Sequence, residues 1–142
     1  MFVIGVENME NFRFVEKQAY LFKYLMAPLL FVSRYPQSGD LVRWLKRITN
    51  RYIHFGDLDL AGINIFLTEF RNPLFDTKGK RTEFFIPADA QSRLSQGSCE
   101  RYDAQIARFG NLHSEDPRLE YLISLIHRYR RGYDQDGFIR ET

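Results

Sequence analysis

The run YIHFGDLDLAG, Tyr52 to Gly62, decides the fold. Its first four residues, Tyr52 to Phe55, are largely apolar and do not alternate with polar ones. That is the pattern of a strand covered on both faces, as in a parallel sheet. Gly56 ends the run, two carboxylates follow at Asp57 and Asp59, and AGINIFLTEF (Ala61 to Phe70) predicts an apolar helix. Ligands of such sheets gather beyond the carboxyl ends of the strands, which is where these acids fall.

The same grammar extends outward. FVIGV (Phe2 to Val6) predicts a first buried strand, and Asn11 can cap a helix over Phe12 to Tyr24, with Phe12, Val15, Ala19 and Phe22 near one face. Pro28 breaks the chain, LLFVS (Leu29 to Ser33) predicts a second strand, and RYPQSGD is a loop by its Pro, Ser and Gly content. Ser38 can cap a helix in GDLVRWLKRITN, where Leu41, Leu45 and Ile48 share a stripe. Downstream, NPLFDTKGK reads as a turn-rich connection, and TEFFIPA (Thr82 to Ala88) as a fourth strand closed by Pro87. Strands alternating with helices predict a Rossmann-like α/β fold, a central mostly parallel sheet flanked by helices and joined by right-handed crossovers. After Ala88 the pattern becomes helical, with Leu119, Leu122, Ile123 and Ile126 at helical spacing. The expectation is a single domain over 1–142, with a core at about 2–88 and a helical extension at about 89–142. The abrupt opening inside a strand suggests the C-terminal fragment of a longer protein.

The 142 residues suit one domain, and 44% hydrophobic with 27% charged residues is the balance of a soluble globular protein. No basic segment leads into an apolar one at the N-terminus, and no run approaches the roughly 20 apolar residues of a membrane span. Cys99 stands alone, so no intramolecular disulfide forms, which suits a reducing cytoplasm. The net charge of +2 is too small to identify a nucleic-acid partner by itself.

Residues i and i+2 of an extended chain point the same way, so Asp57 and Asp59 can face one point. Glu7, directly after the first strand, reaches that point if strands one and three are neighbours. Gathered acids repel unless a cation neutralises them, and Mg²⁺ prefers carboxylate oxygens and accompanies phosphate substrates. On the residues alone the alternative stays open: Asp59 as a helix N-cap and Asp57 as a solvated loop acid. Gly56 and Gly62 would let the backbone approach closely. His54 reads as a packed, hydrogen-bonded histidine, with an acid–base role as the alternative. Glu10, Asp134, Asp136 and Glu141 are further acids with weaker claims. Arg43 to Arg51 (RWLKRITNR) and His127 to Tyr133 (HRYRRGY) are the basic clusters, open either to phosphate contact or to simple solvation.

VIGVEN followed by YIHFGDLDLAG resembles the toprim domain, the acidic metal-binding module of topoisomerases, bacterial primases and certain nucleases. ENMENF, FVSRYPQSGDLVRWL and HFGDLDLAGINI together are similar to one branch, the C-terminal domain of the Wadjet plasmid-defence nuclease subunit. That branch is related to the A subunit of topoisomerase VI. The resemblance covers about Phe2 to Ala88. It implies Mg²⁺- or Mn²⁺-dependent cleavage of DNA phosphodiesters, with Glu7, Asp57 and Asp59 as catalytic metal ligands. With DNA as substrate, Arg34 in the loop after the second strand is the first expected phosphate contact, with Ser38, Arg43 and Arg47 beside it, and DNA, a second copy of the chain or a larger multi-subunit complex are the expected partners. The alternative is a toprim-fold assembly module without catalysis of its own. Two departures stand out: the winged-helix domain that carries the DNA-attacking tyrosine in the topoisomerase-like relatives is absent from this sequence, and Ala61 occupies a position that is acidic in some toprim motifs.

Overall fold

The computed structural model describes residues 1–35 and 39–140. Two compact units share the chain: Met1–Gly56, Phe66–Phe85 and the segment from Gln135 form the first, and Asp57–Ile65 with Ile86–Asp134 form the second.

The first unit is built on a parallel sheet of β1 (Phe2–Val6), β2 (Leu29–Ser33), β3 (Tyr52–Phe55) and β4 (Thr82–Phe84), in the order β2-β1-β3-β4. This is the Rossmann-like α/β class expected from the alternating pattern. The fourth strand is shorter than expected, ending before Pro87. The chain builds β2 on one side of β1 and β3 on the other, so the order reverses between β1 and β3. Register pairs Val6 with Phe55, and the Glu7 N–H donates to the Phe55 carbonyl at 3.0 Å. Glu7 therefore stands at the carboxyl end of the sheet, at its switch point.

Every residue of β3 is buried, which explains its unbroken apolar run. Tyr52 and His54 pack on one face against Phe70, Phe66 and Phe84. Phe55 packs on the other, edge-on to Phe22 and Phe138 with centroids 5.4 Å away in both cases. Each fully buried ring stabilises the fold by about 1.5–3 kcal/mol. The high phenylalanine content is thus largely core.

Three helices differ from the sequence expectation. The run Phe12–Tyr24 is not one α-helix. Instead α1 spans Met9–Arg13, capped by Asn8 rather than Asn11, and two 3₁₀ segments follow at Val15–Lys17 and Ala19–Leu25. The cause is local competition for carbonyls. Gln18 Nε2 donates to the Asn11 and Phe14 carbonyls at 2.8 and 3.0 Å, replacing the i→i−4 bond that would continue a helix. Asn11 is buried instead, donating to Gln18 Oε1 and the Gln135 carbonyl. The second helix, α2, is only Asp40–Leu45. The third, α3, spans Leu60–Ile65, and the helix continues as a π segment over Phe66–Arg71. The expected turn at NPLFDTKGK is a helix, α4 (Asn72–Lys78), because Pro73 sits in its first turn where no backbone donor is needed. Buried Lys78 donates to the Ile48 and Asn50 carbonyls, 2.7 Å each, and so fixes the stretch after α2.

The second unit holds α3, α5 (Ala90–Ser95), α6 (Cys99–Phe109) and α7 (Pro117–Tyr129). Ser98 and Asp116 cap α6 and α7. Leu119, Leu122, Ile123 and Ile126 are the buried face of α7, as their spacing predicts. Leu58 and Tyr133 exchange two backbone hydrogen bonds at 2.9 Å, an isolated antiparallel bridge. Among the described residues no helix is long and apolar enough to cross a membrane.

Candidate metal centre

In the second unit the bridge to Tyr133 keeps Leu58 extended and turns its side chain into the core. Asp57 and Asp59 then face the opposite way, and both meet Arg101 of α6. Arg101 Nη1 donates to Asp57 Oδ2 at 3.3 Å and to Asp59 Oδ2 at 2.8 Å, and Nη2 donates to Asp134 Oδ2 at 2.6 Å. Asp59 is nearly sealed, with 3% of its side chain exposed, whereas Asp57 keeps 20%. Burial works against the Arg101 charge, but the bond to Asp59 and the field of Asp57, Asp59 and Asp134 hold its pKa above the ordinary value.

Asp59 also caps α3. Its Oδ1 accepts from the Gly62 N–H at 2.6 Å, while Oδ2 accepts from Arg101 and, at 3.2 Å, from Gln105. The capping reading is therefore realised, and the cation beside the same side chain is the Arg101 guanidinium. A Cβ at Gly62 would stand 2.6 Å from the Asp57 carbonyl oxygen, so only glycine lets the chain close up behind the two acids.

In the first unit Glu7 is organised by β3. Tyr52 is fully buried, and burial followed by the Glu7 charge pushes its pKa well above the ordinary value. The Tyr52 hydroxyl is hydrogen-bonded to His54 Nδ1 at 3.0 Å, and His54 Nε2 is hydrogen-bonded to Glu7 Oε1 at 2.9 Å. His54 is thus a packed histidine with both nitrogens engaged, and it orients the glutamate. A Cβ at Gly56 would stand 2.7 Å from Glu7 Oε1.

The DNA-facing candidates divide. Arg34 is buried and forked on Glu69, at 2.9 Å from Nε and 2.8 Å from Nη2. Burial opposes its charge, yet Glu69 raises its pKa on balance. Arg43 on α2 and Arg47 just beyond its end are exposed and line a shallow depression with Asp40 and Trp44, and Arg43 is paired with Asp40. Ser38 and Glu141 lie outside the described residues. The second basic cluster is divided: Arg131 donates to the Gly97 carbonyl and His127 bonds Tyr102, whereas Arg128 and Arg130 are exposed.

The donor set suits a hard divalent ion, since two carboxylate oxygens already share one cationic neighbour. Among the described residues no group of three or more His, Cys, Asp or Glu is drawn together tightly enough to hold one. The acids of the second unit are instead spread around a guanidinium. Arg101 and Asp134 are the members that sequence reasoning missed or passed over. One signal was available for Arg101: it falls in the first turn of a Ser98-capped helix, where the dipole disfavours a cation unless acids face it. Compared with protein-family models, curated proteins and solved structures, the chain matches none.

Proposed function

We propose that the chain is a toprim-type nuclease domain that cleaves DNA phosphodiesters with Mg²⁺ or Mn²⁺. The observation that carries this reading is the convergence of Asp57 and Asp59 on a single cationic nitrogen, 3.3 and 2.8 Å away. Asp57 and Asp59 would hold the ion, and the resemblance assigns Glu7 to it as well. The bound ion would supply Lewis-acid polarisation of the scissile phosphate and a lowered pKa for attacking water. Asp59 is fixed by its cap to α3, so its free energy of ordering is met before the ion arrives. Glu7 is held in one orientation by its hydrogen bond with His54. The exposed Arg43 on α2 and Arg47 just beyond it would contact the DNA backbone; the buried Arg34 would stay paired with Glu69. The setting would be cytoplasmic, in plasmid or phage defence.

The test is cleavage of supercoiled plasmid with and without Mg²⁺ or Mn²⁺. Wild type is expected to nick or linearise it only with metal, and Asp57→Asn and Glu7→Gln are each expected to lose at least a hundredfold in rate. Cleavage retained by both variants overturns the reading.

A second reading has its own observation: Arg101 already bridges the paired acids and offsets part of their charge without a metal. The domain would then be an assembly module within a larger DNA-processing complex. Calorimetry with Mn²⁺ beside light scattering separates the two. A stable dimer that takes up no metal favours the module.

A further inference from the structure

We infer that Arg101 is an internal counter-ion that holds the cation position of the Asp57–Asp59 pair and must leave it before a divalent ion is taken up. This inference rests on the metal-binding reading above and concerns how that same site is regulated. Nη1 stands between the two carboxylate oxygens at 3.3 and 2.8 Å. An ion bound to those same oxygens at about 2.0–2.1 Å needs the place that Nη1 holds, so the two occupants exclude each other. The arrangement is built rather than incidental. Asp59 Oδ2 is shared with Gln105, Asp59 Oδ1 is pinned by the Gly62 N–H, and the backbone N–H of Arg101 is bonded to Ser98 Oγ. The second guanidinium nitrogen has its own acid, Asp134, at 2.6 Å. Asp134 is 46% exposed against 3% for Asp59, so the outer half of the fork is anchored at the solvent edge. Arginine is suited to this role because its planar fork satisfies several carboxylates at once, which a lysine cannot do. The physical gain is that the repulsion between two nearby like charges is partly offset in the metal-free protein. The consequence is a threshold: metal affinity is lowered by the fraction of time that the guanidinium is in place.

The experiment is calorimetric titration of Mn²⁺ into wild type, Arg101→Lys and Arg101→Gln, with folding checked by circular dichroism. It is paired with NMR of ¹⁵N-arginine-labelled wild type. Arg101→Lys is the decisive variant, since it keeps the positive field and loses the fork. Expected are affinities about tenfold tighter in both variants. With Mg²⁺ as the diamagnetic ion, the Arg101 Nε–H signal of wild type should move on saturation. Binding by wild type with an unmoved Arg101 signal and an unchanged affinity in Arg101→Lys overturns the inference while leaving the metal reading intact. Absence of binding in all three chains overturns both.

Discussion

Asp59 uses its two carboxylate oxygens for two tasks, one on the Gly62 N–H and one on Arg101. Substitution can separate them. Asn is as good an N-cap as Asp, so Asp59→Asn removes the charge and keeps the cap, at a cost of about 1–3 kcal/mol. Asp59→Ala removes both and should cost about 1 kcal/mol more. Asp57, which keeps 20% of its side chain exposed, should cost only about 1 kcal/mol on conversion to Asn. Urea denaturation of the three variants checks the order. Among the cations, exposure decides. Arg47→Ala is expected to lower the salt dependence of DNA binding by about one unit of slope, as one phosphate contact should. Arg34→Ala is expected to leave the slope unchanged and to cost about 1–3 kcal/mol, because it strands Glu69. A fall in slope for Arg34→Ala would mean that its guanidinium leaves Glu69 for DNA.

At the level of elements, α7 carries a small pH-dependent clasp. Glu120 accepts from His113 Nδ1 and from the Ser114 N–H at 2.9 and 2.8 Å, and these bonds lower its pKa, the histidine contributing most. Since the folded-state value lies below the unfolded one, the clasp is fully present above the ordinary carboxylate range. It is lost as pH falls through the lowered value, and amide-exchange protection at Ser114 should fall with it. The elements also show what a linear reading captures. FVIGV and YIHF are buried on both faces, so composition alone marked them as parallel strands. The helix at Phe12–Tyr24 failed because its spacing is compatible with 3₁₀ turns, and the deciding bonds come from Gln18 and from Gln135, 124 residues beyond Asn11. Asp57 and Asp59 were legible as a converging pair because i and i+2 spacing is local. Their actual counter-ion lies more than 40 residues downstream, on a segment that the sequence marks only as helical.

For the molecule as a whole, the interleaving of the two units has a direct test. The expected core of 2–88 lacks a piece of its own hydrophobic interior. Phe138, fully buried, packs on Phe55 and Phe85, and Gln135 Nε2 donates to the Phe55 carbonyl at 2.9 Å. A chain ended after Ala88 is expected to keep helical circular dichroism but to bind a hydrophobic dye and lose its cooperative unfolding transition. Cooperative unfolding in that shortened chain would show that Gln135 and Phe138 are dispensable. The same contact sets a schedule for synthesis. Phe85 emerges from the ribosome 53 residues ahead of Phe138, and Phe55 earlier still; at about 5–20 residues per second the gap after Phe85 alone lasts about 3–10 s. Throughout that interval the nascent chain presents an uncovered aromatic face, so its yield in the cell should depend on chaperones that shelter such surfaces until translation reaches the last turn.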